Sequence, residues 1–141
     1  MTADLVAFLR ARLEDDEQVA RAAKSGPWIR HDDVAGVHAD DAAPDGRPYG
    51  SAVADCRRVP DGYGVPNALH IVRHQPSRIL VQVEAQRTLL DRYENPETSD
   101  ALPDSFNRLT SSTQRLVLAE VLRCLALPYA DHPDYREDWR P

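Results

Sequence analysis

The spacing of apolar residues along the 141-residue chain predicts a mainly helical protein with a non-helical middle. Apolar positions recur every three or four residues over three long segments: about Ala3–Ala23, Pro76–Tyr93 and Ser112–Leu127. A shorter helix is predicted over Ala68–His74, with Asn67 as its N-cap, because an asparagine oxygen can accept from the free amides of a first helical turn.

The middle of the chain is predicted to form a small sheet. All six glycines lie between Gly26 and Gly64, which excludes a long helix there. Short strands are expected over three segments: Trp28–His31, Gly36–Ala39 and Ser51–Val59. The predicted fold class is therefore α+β, mainly helical, with a small antiparallel sheet or hairpin between the N-terminal helix and the central helices.

The length suits a single domain covering residues 1–141. Within it, we expect a mobile loop at about 40–50 and a linker at about 95–104; the path of residues 32–50 is not predicted. Residues 128–141 are expected to form a strap that lays Tyr129, Tyr135 and Trp139 back on the core, the alternative being a free recognition peptide.

Two of the helices carry more specific expectations. In the central helix, Arg87 is placed to reach both Glu84 and Asp91, at i−3 and i+4. The last helix is apolar almost all round between Leu116 and Leu127. Such a helix is either the centre of a domain or half of a homodimer interface.

Charge and cysteine usage narrow the classes of partner. The net charge is −6 with no cluster of basic residues, so a nucleic-acid partner is unlikely on electrostatic grounds. The apolar run Leu116–Ala119, like every other in the sequence, is too short to cross a membrane. Cys56 and Cys124 are far apart and in no metal-type spacing, which favours a reducing compartment. The predicted location is the cytoplasm.

His70 and His74 are the candidate metal ligands. Four residues apart on a helix, they face the same way, as in zinc sites that use two imidazoles. The glutamate of an HExxH motif is missing, and His38 or His132 could supply a third ligand only through folding. His31-Asp32-Asp33 and His38–Asp41 are weaker candidates, because their spacing matches no calcium loop.

Catalytic and cofactor motifs are missing from the sequence. No serine lies in a GxSxG motif, and neither cysteine has neighbours that would activate its thiol. Gly62-Tyr63-Gly64 is too short for a phosphate loop. We therefore expect no catalytic residue and no cofactor.

Four segments together resemble a known family: LVAFLRARLEDDEQVARAA from Leu5, GPW from Gly26, HIVRHQPSRILVQVEAQRTLLD from His70, and CLALPYADHPDYREDWRP from Cys124. They are similar to domain-of-unknown-function family 6221 (DUF6221), small actinobacterial proteins with no assigned activity. That family usually has an aspartate before the proline of the central helix, where this chain has Gln75. The GPW element and the helix after it also resemble early phage proteins of unknown function.

The resemblance implies no catalytic residues, so the functional hypotheses come from the residues themselves. The first is a non-enzymatic interaction module whose partner is another protein or a second copy of itself, with homodimers forming through the Leu116–Leu127 helix. The second resemblance associates it with phages or mobile elements. The alternative is a small metal- or anion-binding protein that uses His70 and His74.

Overall fold

A computed structural model describes residues 2–31, 35–41, 50–60 and 62–141. It confirms the mainly helical α+β class with a small antiparallel sheet. The elements, in chain order, are α1 (Thr2–Ala22), β1 (Trp28–Arg30), β2 (Gly36–Ala39), β3 (Ala52–Asp55), α2 (Gly64–Arg73), α3 (Pro76–Glu94) and α4 (Asp104–Ala126), followed by two single 3₁₀ turns, Leu127–Tyr129 and Glu137–Trp139.

The chain divides into two compact units, with the boundaries inside α1 and α3. Unit 1 consists of residues 1–15 and 83–141, and unit 2 of residues 16–82. The prediction of a single domain stays a prediction.

Unit 2 is built on a three-stranded antiparallel sheet in the order β1-β2-β3. Ile29 pairs with His38, and Val37 pairs with Ala54. Val37, Cys56 and Ala68 form a small buried cluster in which α2 covers the sheet. The helix can begin so close to the strands because its first residue is a glycine: a Cβ on Gly64 would lie 2.5 Å from the Cys56 carbonyl oxygen.

Two predicted boundaries in unit 2 were wrong. Asn67 is not an N-cap, since α2 already begins at Gly64 and Asn67 N–H donates to the Tyr63 carbonyl, 2.9 Å away. The strand predicted to reach Val59 ends at Asp55, where the side chain accepts from the backbone N–H of Arg57 at 3.0 Å. This local turn competes with the sheet ladder.

Unit 1 takes its buried side chains from α1, α3, α4 and the C-terminal segment: Leu5, Leu9, Leu13, Val83, Leu90, Leu122 and Trp139 among them. Arg10 donates to Asp91 at 2.8 Å and to Glu94, which links α1 to α3. The prediction for Arg87 was wrong, because its guanidinium pairs with Glu14 of α1 at 3.1 Å. Periodicity within one helix could not show this competitor.

Some predictions fall on residues that are not described. Residues 42–49 of the predicted mobile loop at about 40–50 lie outside the described ranges. Asp32 and Asp33 of the candidate cluster His31-Asp32-Asp33 also lie outside the described ranges.

Two valines of α3 provide a matched test of burial. Val83 is 3% exposed and Val81 is 70% exposed. We expect Val83→Ala to lower the free energy of unfolding by about 2 kcal/mol, from lost transfer energy plus a cavity. Val81→Ala should change it by less than about 0.5 kcal/mol. Urea denaturation measures both, and equal losses would contradict the assigned orientation of the helix.

The carboxylate of Asp41 predicts an acid-sensitive contact in unit 2. It pairs with Lys24 at 2.8 Å and accepts from the backbone N–H of Ser51 at 2.7 Å. These bonds lower the pKa of Asp41 from 3.8 to about 2, and the bond to Lys24 has the largest effect. The folded-state pKa is depressed, so the stabilisation is present above the unfolded pKa and is lost as the pH falls through the folded one.

We therefore expect Asp41→Asn to flatten the fall in unfolding free energy between about pH 4 and pH 2. Chemical denaturation at several pH values measures this slope. Because the carboxylate is exposed, 1 M salt should reduce the difference between the variant and the parent protein at pH 7. An unchanged acid slope in Asp41→Asn would contradict the contact.

Candidate interaction surface

One face of α4 carries an exposed row of mostly apolar side chains, here called the α4 stripe: Phe106, Leu109, Thr113, Leu116, Val117 and Cys124. At about 100° per residue, these positions fall within an arc of about 100°. Leu116 is 72% exposed, Leu109 63%, Val117 60% and Phe106 48%. Leu102 and Leu127, just beyond the two ends of α4, are also exposed. Large apolar patches on a surface mark interaction sites more often than isolated apolar residues do.

The opposite side of α4 explains why the stripe is left exposed. Leu122 and Ala126 are fully buried, and they lie on the other side of the helix from Phe106 and Leu109. A helix packed through one face presents the other to solvent. Because α4 is largely apolar on both, its outer face has fewer charged residues than usually cover a surface helix, with Glu120 the exception in the arc of the stripe.

The stripe also offers few polar groups to a partner. The hydroxyls of Thr110, Ser112 and Thr113 donate to backbone carbonyls of their own helix at 2.9–3.1 Å. Their hydrogen-bond donors are therefore used internally. Glu120 is the charged residue on this face, and Arg123 lies 3.6 Å from it. Burying the stripe would desolvate little charge.

Only part of the segment predicted as a homodimer interface lies on this surface. Between Leu116 and Leu127, the residues Leu122 and Ala126 are buried inside unit 1. The exposed row instead extends toward the N-terminus as far as Phe106 and Leu109. Sequence reasoning missed those two residues because the flanking polar residues of 104–115 mask their spacing.

The histidine pair lies at the C-terminal end of α2. The rings of His70 and His74 are 4.3 Å apart between centroids and tilted by 32°. His74 Nδ1 lies 2.9 Å from the His70 carbonyl oxygen, so this nitrogen is engaged as a donor to the backbone. Both side chains are exposed. Across the described ranges, no three His, Cys, Asp or Glu residues are grouped closely enough to hold a metal. The metal site stays a prediction.

The residues of the other candidate cluster, His38–Asp41, contact neighbouring protein residues. His38 lies in β2, where its ring is 5.9 Å from that of His31. The Asp41 carboxylate is occupied by Lys24 and Ser51. Gln75, at the position where an aspartate was expected, accepts from the backbone N–H of Trp28 at 2.9 Å. This contact ties the GPW element to the start of α3.

The C-terminal segment is held by an aromatic cluster in unit 1. Four rings surround Phe8 of α1, with centroids 5.0–6.3 Å from it: Tyr129, His132, Tyr135 and Trp139. Three of the four pairs have edge-to-face geometry, which aromatic quadrupoles favour. Trp139 is buried, Arg12 lies over the Phe8 ring and contacts His132, and Arg136 pairs with Asp4 at 3.1 Å. Sequence reasoning missed Phe8 as the common partner.

Comparison with protein families decides the relationship of the chain. The model of a family of unknown function, DUF6221, matches residues 2–141. The chain belongs to DUF6221. No curated protein and no solved structure matches it. Membership of DUF6221 confirms the resemblance found in the sequence and extends it over segments that the resemblance did not cover, but it brings no activity.

Hydropathy adds one finding for this DUF6221 chain. Among the helices that the structure describes, none combines the length and apolar character needed to cross a bilayer.

The histidine pair gives a prediction about metal content. Two imidazoles with no third ligand among the described residues leave a zinc ion half coordinated. We therefore expect protein purified without a histidine tag to contain no stoichiometric zinc by inductively coupled plasma mass spectrometry. A His70→Ala/His74→Ala double variant should have the same content. Stoichiometric zinc that the double variant loses would contradict this expectation.

Proposed function

We propose that this DUF6221 protein is a non-enzymatic interaction module that self-associates through the α4 stripe. The observation that carries the proposal is the exposure of four large apolar side chains on one helical face: Phe106, Leu109, Leu116 and Val117. Burying them against a second copy removes their apolar area from water. The carboxylate on this face, that of Glu120, has Arg123 3.6 Å away, so the association would bury little unpaired charge.

The simplest arrangement is an antiparallel pair of α4 helices related by a two-fold axis. In such an isologous interface the same patch serves both copies. The midpoint of the four exposed apolar residues lies near Ser112 and Thr113, whose side chains are small and whose hydroxyls are bonded within the helix. Small residues at the crossing point allow the two helices to approach closely.

The dimensions of the stripe set the expected strength. From Phe106 to Cys124 it extends for about 27 Å along the helix axis. A single helix pair of this length buries an area near the lower end of the range for specific interfaces, so we expect a dissociation constant on the order of micromolar. Because each chain carries a net charge of −6, the two copies repel each other at long range, and added salt should strengthen the dimer.

The proposal places the protein in the cytoplasm. Both cysteines are free, and the Cys124 thiol is exposed on the stripe. An unpaired exposed thiol suits a reducing compartment. The association with phages or mobile elements rests on sequence resemblance alone and adds nothing to the choice of partner.

The alternative function is metal or anion binding at His70 and His74. The observation that favours it is the 4.3 Å separation of two exposed rings at the end of α2. The measurement of zinc content described above tests the metal form of this alternative.

Two exposed helical valines allow a matched test of self-association. We expect light scattering coupled to size exclusion to give a mass that rises with concentration from 15.8 kDa toward twice that value. Val117→Glu places a charge on the stripe and should weaken the dimer at least about tenfold, since burying an unpaired charge is costly. Val19→Glu on α1, where the valine is 72% exposed against 60% for Val117, should leave the dimer unchanged.

A protein that remains monomeric up to about 1 mM would contradict the proposal, as would equal weakening by both substitutions.

The Cys124 thiols test whether the two α4 helices are antiparallel. In the antiparallel pair centred near Thr113, the two Cys124 residues are about 33 Å apart along the helix axis. Efficient disulfide cross-linking of Cys124 in the dimer would therefore exclude the antiparallel pair in favour of a parallel one.

A further inference from the structure

A polar pocket of about 770 Å³ lies in unit 1, between the end of α3, the segment 95–103 and the first half of α4. This volume is within the range of sites that bind small molecules. The pocket lies to one side of the stripe: Arg108, Ser111 and Arg115 face it, between about 80° and 160° around the helix axis from Leu109 and Leu116. Ser112, near the midpoint of the stripe, also lines the pocket, so the two surfaces adjoin there.

The composition of this face of α4 changes along the helix. Toward the C-terminal end it is apolar, with Leu118 half-buried and Leu122 and Ala126 fully buried in unit 1. Toward the N-terminal end the same side carries Arg108, Ser111 and Arg115 in place of core residues. A helix face that only packs against a core is normally apolar, so two arginines lining a cavity indicate a further role for this end of the face.

Arg108 and Arg115 are placed to act together. They are seven residues apart, so they lie on one face with Cα atoms separated by about 10 Å. Two extended arginine side chains span that distance, which lets both guanidinium groups reach one anion between them. Planar guanidinium groups favour phosphate and carboxylate oxygens because they donate in a fork.

The two arginines have free hydrogen-bond donors. Arg108 forms no hydrogen bond or ion pair with any residue that the structure describes. Arg115 donates from Nε to the Tyr93 carbonyl at 3.4 Å and from Nη2 to the Glu94 carbonyl at 3.3 Å, while its Nη1 has no partner in the described part of the chain. The end of α3 thus orients Arg115 and leaves one nitrogen for a ligand.

The opposite wall is fixed by a side chain of α4. Asn107 accepts from the backbone N–H of Ser99 at 3.1 Å and donates to the Ser99 carbonyl at 2.9 Å. Segment 95–103 is therefore tied to α4, and the pocket is formed before any ligand binds. Such preorganisation reduces the entropy lost on binding.

The pocket also contains acceptors for a ligand. The carboxylates of Asp100 and Asp104 line it and form no ion pair within the described ranges. The Ser111 hydroxyl is likewise uncommitted there. A ligand that satisfies this set has an anionic group for the arginines and hydroxyl or amino groups for the carboxylates.

We propose that this pocket binds a small phosphate ester that carries hydroxyl groups, the chemical class of sugar phosphates and mononucleotides. Arg108 and Arg115 hold the phosphate, Ser111 donates to one of its oxygens, and Asp104 accepts from a ligand hydroxyl. The arginines are exposed, so water and salt screen their attraction, and we expect dissociation constants between about 10 µM and 1 mM.

The test is isothermal titration of the full chain with four probes: ribose 5-phosphate, adenosine 5′-monophosphate, ribose and inorganic phosphate. At least one of the two phosphate esters should bind, more tightly than inorganic phosphate and at least about tenfold more tightly than ribose. Tighter binding of the nucleotide assigns the ligand to mononucleotides, and tighter binding of ribose 5-phosphate to sugar phosphates.

Substitutions separate the roles of the residues. Arg108→Gln should weaken binding of the better ester at least about tenfold. Asp104→Asn should weaken the ester and not inorganic phosphate. The matched control is Arg73→Gln, which removes an exposed arginine from the last turn of α2, outside the pocket. It should leave binding unchanged. Because Arg108 forms no hydrogen bond or ion pair with the described residues, its variant should keep the melting temperature and the self-association of the parent protein.

Three results would overturn the proposal. The first is no binding of either ester at about 10 mM. The second is equal weakening by Arg108→Gln and Arg73→Gln, which would show attraction to overall charge and no defined site. The third is inorganic phosphate binding as tightly as both esters, which would exclude recognition of the hydroxyl groups.

Discussion

The burial of Leu122 and Ala126 is the interaction on which the functional features of unit 1 depend. It fixes the rotation of α4 about its axis, and so decides which of its side chains face the interior and which face water. With these two residues inside, Phe106, Leu109, Leu116 and Val117 point outward, and Arg108 and Arg115 face the end of α3. One rotational setting therefore produces both surfaces.

The two units use different means to hold a small core. Unit 2 has only a few buried side chains around Val37, and it gains order from backbone pairing, from the contact between Gln75 and Trp28 and from the close approach at Gly64. Unit 1 relies on aliphatic side chains of its helices and on the rings around Phe8. The described core contains no buried charged residue, so apolar packing is the main source of stability in both units.

Local signals in the sequence predicted the elements well, whereas contacts between elements could not be predicted. Pro76 marked the start of α3 because proline is tolerated at the first helical position and breaks the helix before it. The partner of Arg87 was wrong, since Glu14 belongs to a helix more than seventy residues away and leaves no trace in the spacing of α3. The stripe was predicted only in part for the same reason. The spacing of apolar residues shows that a helix has an apolar face, but it does not show which of two apolar faces packs against the rest of the unit. The polar pocket gave no signal, because its arginines and carboxylates come together only through the turn at 95–103.

The aromatic cluster around Phe8 has a consequence for the order in which the protein folds during synthesis. Phe8 leaves the ribosome long before Tyr129, His132, Tyr135 and Trp139 are translated. Residues 16–82 can collapse onto their own sheet during that interval, as the units of nascent chains generally do. The first half of α1 has no such option, because its unit also takes buried side chains from α3 and α4, and Phe8 meets its ring partners only when the last part of the chain is made. A pause in translation before residue 129 would prolong that exposed state, in which chaperones would have their best access to the nascent protein.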